Sequence, residues 1–197
     1  MENLNMLADD MLVARYSKGD NKAFDELLAR YQSKLFNYIF FIVRNQEVAE
    51  DLFQETFVKA ITTIQQGRYT ASGKFGAWLT RIAHNMIIDG FRQDRNENTI
   101  SNDEFEVDLL NDADLCDDNV EMQMINEQTL SDVRRLVDAL PDNQREVVYM
   151  RYYQDLSFKE IADITGVSIN TALGRMRYAL IGMRRLAEEK NIVLEMY

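Results

Sequence analysis

Apolar residues recur every three or four positions over most of the chain, which is the spacing of one buried face of an α-helix. No segment shows a convincing alternation of apolar and polar residues of the kind that a half-buried strand requires. The pattern therefore predicts an all-α protein. The longest apolar series consists of Phe24, Leu27, Leu28, Tyr31, Leu35, Ile39 and Ile42.

Four helices are predicted in the first half of the chain. A short one ends near Gly19, and the second carries the long apolar series and closes at Asn45. The third runs from about Gln46 to Gln66, with Gly67 as its stop signal. The fourth follows a glycine-containing loop, and we expect all four helices to pack together. Its apolar residues are Phe75, Trp78, Leu79, Ile82, Met86 and Phe91.

The second half predicts a further set of helices that ends in a helix-turn-helix. One helix ends at the only proline, Pro141, because a residue before proline disfavours helical geometry. Its apolar positions are Leu130, Val133, Val137 and Leu140, and the next helix covers about Asp142 to Tyr153.

Two capping signals then mark the helix-turn-helix itself. Ser157 and Glu160 have the spacing of a capping box, which begins a short helix. Gly166 supplies the turn, and Ser168 is the expected N-cap of a last helix that continues to about Glu189. A short helix, a glycine turn and a longer helix are typical of a helix-turn-helix.

The net charge of −11 argues at first against a nucleic-acid partner, since phosphate contacts need lysine and arginine. Residues 96–125, however, contain ten acidic side chains and no basic one, so residues 1–95 and 126–197 are close to neutral. We expect residues 96–125 to be a flexible acidic linker between two folded modules. It is either a solubilising spacer or a mimic of nucleic-acid charge that shields basic surfaces.

Composition excludes several function classes. The lone Cys116 allows no internal disulfide, and one cysteine with one histidine leaves too few ligands for an ordinary zinc site. No apolar run reaches the roughly 18 residues of a membrane span, and the N-terminus lacks a basic signal-peptide start. No phosphate loop or nucleophile–histidine pair is evident. We expect a cytoplasmic protein that is not an enzyme and has no cofactor or metal.

The last predicted helix offers one surface suited to duplex DNA. Residues 168–185 contain four arginines and no acid, which suits insertion into the major groove. The alternative is an ordinary solvated helix. The packing arc is predicted as Ile169, Ala172, Met176, Leu180, Met183 and Ala187. The outward arc is predicted as Asn170, Thr171, Arg175, Arg177, Tyr178, Arg184 and Arg185.

Residues 68–95 offer a second surface, with an excess of three positive charges interleaved with rings and amides. That mixture suits single-stranded DNA, whose unstacked bases need stacking partners and edge contacts. We expect contacts from the loop between Tyr69 and Phe75, from Asn85 and from nearby basic side chains, while Trp78 and Phe91 belong to the core.

The helix from Gln46 offers a third surface. Its buried stripe is predicted as Ala49, Leu52, Phe53, Thr56, Ala60 and Ile64. Asp51, Gln54, Glu55, Val58 and Thr62 then share the opposite side. An acidic patch with an exposed valine can dock a protein helix, although charged outer faces are also routine.

Taken together, these residues resemble the extracytoplasmic-function group of the sigma-70 family over nearly the whole chain outside the linker. AEDLFQETFVKA (residues 49–60) and KFGAWLTRIAHNMIIDGFR (74–92) are similar to sigma region 2. LPDNQREVVYMRYYQDLSFKEIADITGVSINTALGRMR (140–177) is similar to sigma region 4. The resemblance implies a promoter-selecting subunit of RNA polymerase.

The resemblance also implies partners and contact residues. The partners would be the clamp helices of the largest polymerase subunit, the β flap, promoter DNA and an anti-sigma factor. Polymerase contacts are predicted for Asp51, Gln54, Glu55, Phe57 and Val58. Contacts with the minus-ten element are predicted for Tyr69, Lys74, Phe75, Arg81, Asn85 and Arg92, with Phe75 and Asn85 capturing a flipped base. Contacts with the minus-thirty-five duplex are predicted for Lys159, Ser168, Asn170, Thr171, Arg175, Arg177, Tyr178 and Arg184.

The chain departs from the family pattern in the last helix. Leu173 and Gly174 replace a basic residue and a serine, and Tyr178-Ala179-Leu180 replaces Arg-Ala-Arg, so the promoter sequence does not carry over. Two other functions remain open. The chain could be a helix-turn-helix regulator that never joins polymerase, or an acidic inhibitor of a basic partner.

Overall fold

In a computed structural model, residues 4–97, 131–190 and 192 are described. Every regular element in these residues is helical, which confirms the predicted all-α class. The chain separates into two compact units, one built mainly from residues 4–97 and the other mainly from residues 131–190, and each is described separately. Residues 98–125 of the predicted acidic linker, which include Cys116, and Leu130 lie outside the described residues. Residues 96 and 97, which were assigned to the linker, are instead the end of a helix.

The helices lie close to their predicted positions. A 3-10 turn at Leu4–Met6 precedes four helices, which are α1 (Asp9–Tyr16), α2 (Asn21–Val43), α3 (Gln46–Gln65) and α4 (Phe75–Glu97). After the undescribed stretch come α5 (131–138 of the described chain), α6 (Asp142–Tyr152), α7 (Phe158–Thr165) and α8 (Ile169–Glu189).

The first unit is organised around α2, which packs against α1, α3 and α4. Apolar side chains from all four helices fill the core between them, and burying each such side chain stabilises the unit by about 1.5–3 kcal/mol. The largest fully buried members are Leu12, Leu27, Tyr38, Ile39, Ile64, Phe75, Leu79 and Ile87.

The junction between α2 and α3 corrects one prediction. Arg44, not Asn45, ends α2, because Arg44 takes the left-handed conformation with φ of 53°. Asn45 instead has an extended backbone and begins α3, where its side-chain oxygen accepts a hydrogen bond from the N–H of Val48 at 3.2 Å. Asparagine favours both positions, so sequence alone did not decide between them.

Polar side chains fix the N-terminal residues on the first unit. The guanidinium of Arg30 donates to the carbonyl oxygens of Leu7 at 2.9 Å and Asn5 at 2.9 Å, and it pairs with Asp9 at 2.8 Å. The hydroxyl of Tyr31 donates to the second oxygen of Asp9. Burial and this carboxylate together raise the pKa of Tyr31, so the ring keeps its proton and its anchor at neutral pH.

In the second unit α6 packs against α8. Leu136, Val147, Met150 and Ile161 are the largest fully buried side chains described there. Leu140, just before Pro141, is also buried, which agrees with the predicted apolar helix ending at the proline.

The close approach of Gly76 to the ring of Tyr31 gives a stability test. A Cβ added at Gly76 would lie 2.7 Å from Cε1 of Tyr31, whose ring is anchored at its hydroxyl by Asp9. Since the ring cannot swing away freely, we expect Gly76→Ala to lower the free energy of unfolding by about 1–3 kcal/mol, the usual cost of overpacking. Urea denaturation of the purified protein measures the change.

Gly90→Ala is the matched control, because it lies in the same helix and no heavy atom is within 4 Å of its added Cβ. The higher helix propensity of alanine should leave this variant as stable as the parent or up to about 1 kcal/mol more stable. Equal stabilities of the two variants would contradict the packing described for Tyr31 and Gly76.

Candidate nucleic-acid interface

The outer side of α3 presents an acidic face made of Asp51, Gln54, Glu55 and Val58. All four are exposed, and Val58 is 62% exposed although it is apolar. The opposite side of the helix is anchored by Ala49, Thr56, Ala60 and Ile64, all buried as predicted. The predicted division of α3 into a packing side and an outward side is therefore confirmed for these residues.

Phe57 does not belong to the acidic face of α3. Its side chain is only 6% exposed and lies edge-on to the rings of Phe24 at 6.2 Å and Phe53 at 5.0 Å. The prediction that Phe57 contacts polymerase is corrected, because burying an aromatic ring in this cluster stabilises the unit more than exposing it. On α3, Phe57 lies at the border between the buried side and the outward side. Its contacts with apolar rings place it on the buried side.

The loop between α3 and α4 (residues 66–74, the α3–α4 loop) is joined to α1 by two hydrogen bonds. The hydroxyl of Tyr69 donates to Oδ1 of Asp10 at 2.8 Å, and the N–H of Gly73 donates to Oδ2 of Asp10 at 2.7 Å. Burial first, and then the Asp10 carboxylate, raise the pKa of Tyr69, so its hydroxyl remains a donor. Thr70 to Ser72 and Lys74 stay exposed on the loop.

Phe75 requires a correction. Its side chain is 0% exposed and lies within 6 Å, ring centre to ring centre, of Tyr31, Tyr69 and Trp78. The ring therefore forms the floor below the α3–α4 loop and does not reach a base in this conformation. Tyr69 is half-buried and its hydroxyl is already bonded to Asp10, so it too acts mainly as support.

The outward side of α4 carries the remaining residues predicted for single-stranded DNA. Arg81, Asn85 and Arg92 are exposed, and Arg92 pairs with Asp89 at 3.3 Å with both side chains open to solvent. An exposed pair of this kind contributes little to stability and leaves Arg92 free to exchange partners. Together with Lys74, just before α4, these exposed residues form a surface that carries positive charges and one side-chain amide.

Two other predictions for α4 are wrong or incomplete. Phe91 is 46% exposed and is not core, and Trp78 is only half-buried. His84 is also buried, with Nδ1 3.2 Å from the hydroxyl of Tyr38. The buried face instead follows steps of four residues through Phe75, Leu79, Ala83 and Ile87.

Two caps fix the helix-turn-helix. The N–H of Ser157 donates to Oε2 of Glu160 at 2.8 Å, and the N–H of Glu160 donates to Oγ of Ser157 at 3.3 Å, so the predicted capping box is confirmed. Gly166 has φ of +68°, a conformation that side chains disfavour. Ser168 caps α8 by accepting from the N–H of Thr171 at 3.0 Å, as predicted.

The N-terminal part of α8 is open to solvent where DNA contacts are predicted. Most of the predicted residues are exposed, Arg175 is half-buried, and the Ser168 hydroxyl is already used as a cap. Because no acidic residue follows in the first turn, the helix N-terminus favours a phosphate group. The exposed residues are Lys159, Ser168, Asn170, Thr171, Arg177, Tyr178 and Arg184.

The packing side of α8 is rotated from the predicted one. Ala172, Met176 and Ala179 are buried, whereas Ile169 is 46% exposed and Leu180 is 40% exposed. The sequence missed Ala179 because α8 has apolar residues on more than one side. Leu173 and Ile181 are likewise exposed.

In residues 4–97 and 131–190 no group of three or more His, Cys, Asp or Glu side chains is placed to hold a metal ion. None of the described helices is long and apolar enough to cross a membrane.

Comparison with known proteins defines the class first. Residues 27–97 match the model of Sigma-70 region 2, and residues 130–176 match that of Sigma-70, region 4. This pair of regions is the mark of a sigma factor, a DNA-binding transcription initiation factor.

The individual relatives then narrow the class. The RNA polymerase sigma-H factor of Pseudomonas aeruginosa is 29% identical over 85% of this chain and 88% of its own. The ECF RNA polymerase sigma-E factor of Salmonella typhimurium is 31% identical over 86% of this chain and 89% of its own. The chain belongs to the extracytoplasmic-function group of the sigma-70 family.

A solved structure agrees with the fold. The sigma factor RpoE of Bartonella quintana, determined in complex with the anti-sigma factor NepR, is 22% identical and has a TM-score of 0.60. The match covers 85% of this chain and 98% of that one. At this identity the likeness supports the helical architecture alone.

Proposed function

We propose that this protein selects promoters through three surfaces: the acidic face of α3 for core RNA polymerase, the α3–α4 loop with α4 for the minus-ten strand, and α8 for the minus-thirty-five duplex. The observation that carries the proposal is the separation of charge among these surfaces. Exposed acids lie on α3, whereas α4 and the N-terminal part of α8 present exposed cations and amides.

The acidic face of α3 suits the clamp helices of the largest polymerase subunit. Asp51 and Glu55 are one helical turn apart, and Gln54 and Val58 lie beside them. Charge complementarity speeds encounter and fixes register, while an exposed valine can be buried against the partner. Phe57 supports this surface from below through its contacts with Phe24 and Phe53.

The α3–α4 loop and the outward side of α4 would hold the minus-ten strand after the duplex opens. Lys74, Arg81 and Arg92 would contact phosphates, and the amide of Asn85 would bond to a base edge. Flipping a base costs a few kcal/mol, which contacts in a fitted pocket can return. In this proposal the loop backbone at 70–74 lines that pocket, and Phe75 shapes it from beneath.

The N-terminal turns of α8 would enter the major groove at the minus-thirty-five element. Asn170, Thr171 and Arg177 are exposed and have the donors and acceptors that base edges require. Tyr178, 64% exposed, would add an apolar or hydroxyl contact. Lys159 and Arg184 would contact the phosphate backbone on either side of the groove.

This mechanism uses binding energy alone, so we propose that the protein is not an enzyme and acts in the cytoplasm, where its polymerase is. Two weak DNA contacts held together on one polymerase add through effective concentration. The β flap is the expected partner of the second unit. An anti-sigma factor that covered the acidic face of α3 would compete with polymerase.

Reversing the charge of the acidic face tests polymerase binding. We expect Asp51→Lys with Glu55→Lys to abolish co-purification with core polymerase, because both carboxylates would be replaced by repelling charges. The fold should be unchanged, since both side chains are exposed. Pull-down on tagged core polymerase, with circular dichroism of the free variant, measures the two effects.

The control for charge alone is Asp25→Lys with Glu188→Lys, which changes two other exposed acids in the same way. It should bind polymerase like the parent. Undiminished binding by the Asp51 and Glu55 variant would contradict the assignment of the acidic face of α3 to polymerase.

Removing two α8 cations tests recognition of the minus-thirty-five element. We expect Arg175→Ala with Arg177→Ala to weaken holoenzyme binding to a minus-thirty-five duplex by about tenfold or more, since a good base contact discriminates by about 1–3 kcal/mol. The slope of log affinity against log salt should also fall by about one for each phosphate group that the variant no longer touches. Fluorescence anisotropy over a salt series measures both.

Arg134→Ala with Lys190→Ala removes the same charge from exposed positions outside the helix-turn-helix. This control should bind the duplex nearly as well as the parent. If the Arg175 and Arg177 variant initiates transcription like the parent, the proposed role of these two arginines at the minus-thirty-five element is contradicted.

A further inference from the structure

Asp10 joins two elements that are far apart in the sequence. It lies in the first turn of α1 and is 59 residues from Tyr69 and 63 residues from Gly73. Its two carboxylate oxygens each accept one hydrogen bond from the α3–α4 loop, at 2.8 Å from the Tyr69 hydroxyl and at 2.7 Å from the Gly73 N–H. One side chain therefore ties the loop at two points.

The tied points lie on either side of the exposed part of the loop. Residues 70–72 lie between Tyr69 and Gly73 and are open to solvent. The Tyr69 ring is fixed in turn by Trp78 at 4.8 Å and Phe75 at 5.9 Å between ring centres. Gly73 has φ of +68°, which few other residues adopt without strain.

The carboxylate itself is secured by its place on α1. Negative charge in the first turn of a helix is stabilised by the helix dipole, and Asp9 beside it is held by Arg30 and Tyr31. Asp10 is half-buried, and its hydrogen bond from Tyr69 is partly protected from water, whereas its bond from Gly73 is exposed. The nine-residue loop is thereby joined to α1 at two of its residues, Tyr69 and Gly73.

We propose that Asp10 is a positioning residue that preorganises the α3–α4 loop for capture of the minus-ten strand. Its carboxylate does not touch the DNA and would repel phosphates if it did. Preorganisation raises affinity because the ordering cost is met before binding. The inference rests on the proposed role of this loop in the minus-ten contact.

The test uses holoenzyme assembled from the full chain and core polymerase, with a fluorescent single-stranded minus-ten oligonucleotide from a mapped promoter. We expect Asp10→Ala to weaken oligonucleotide binding by about five- to tenfold, about 1–1.4 kcal/mol. Asp10→Asn keeps one acceptor and should lose less. Tyr69→Phe removes one bond and keeps the ring, so it should also fall between parent and Asp10→Ala.

If Asp10 acted only through its charge, Asp10→Ala would change the affinity for the oligonucleotide in the opposite direction. Removing a negative charge near DNA should tighten binding. Asp25→Asn, an exposed acid on α2, controls for this effect and should bind the oligonucleotide as well as the parent or better. Polymerase affinity of every variant, measured separately, should stay at the parent value.

Each outcome decides a different point. Parent-like oligonucleotide binding by Asp10→Ala holoenzyme overturns the inference and leaves the proposed function intact. Equal losses of polymerase affinity, thermal stability and oligonucleotide binding also overturn it, because Asp10 would then only hold the fold. If the parent holoenzyme itself does not bind the oligonucleotide, the proposed minus-ten role of the loop fails first.

Discussion

The burial of Phe75 among Tyr31, Tyr69 and Trp78 determines the shape of the side of the first unit that is proposed to bind the minus-ten strand. With its side chain 0% exposed, Phe75 sets the rotation of α4 at its first residue. The residues that follow on the buried face come at intervals of four, and Asn85 and Arg81 are thereby turned outward. The same ring supports Tyr69, and through it the α3–α4 loop.

The hydrogen bonds around this aromatic cluster are accepted by two neighbouring carboxylates of α1. Asp9 and Asp10, adjacent in α1, hold Tyr31 and Tyr69, whose rings both pack on Phe75. An apolar cluster excludes water from the hydrogen bonds beside it, and these bonds in turn keep the rings in place. The loop is therefore connected to the core of the first unit through Tyr69 and to α1 through Asp10.

Sequence predicted best what depends on neighbouring residues. The capping box of Ser157 and Glu160, the Gly166 turn and the Ser168 cap each involve residues within three positions, and all three were correct. Helical periodicity was less decisive where apolar residues surround a helix. In α8 it chose Leu180 for the core, although Ala179 is buried and Leu180 is exposed, because apolar residues lie on more than one side of this helix.

In the candidate sites, too, features that depend on one helix were predicted, whereas contacts between distant residues were not. The outward residues of α3 were predicted correctly except for Phe57. This ring is buried because it packs against Phe24 of another helix. The link from Asp10 to the loop had no sequence signal, since no periodicity connects residues so far apart.

Binding of a mapped promoter duplex, with and without core polymerase, tests the central claim most directly. The account predicts a sequence-specific complex only when polymerase is present, and tight sequence-specific binding by the protein alone would contradict it.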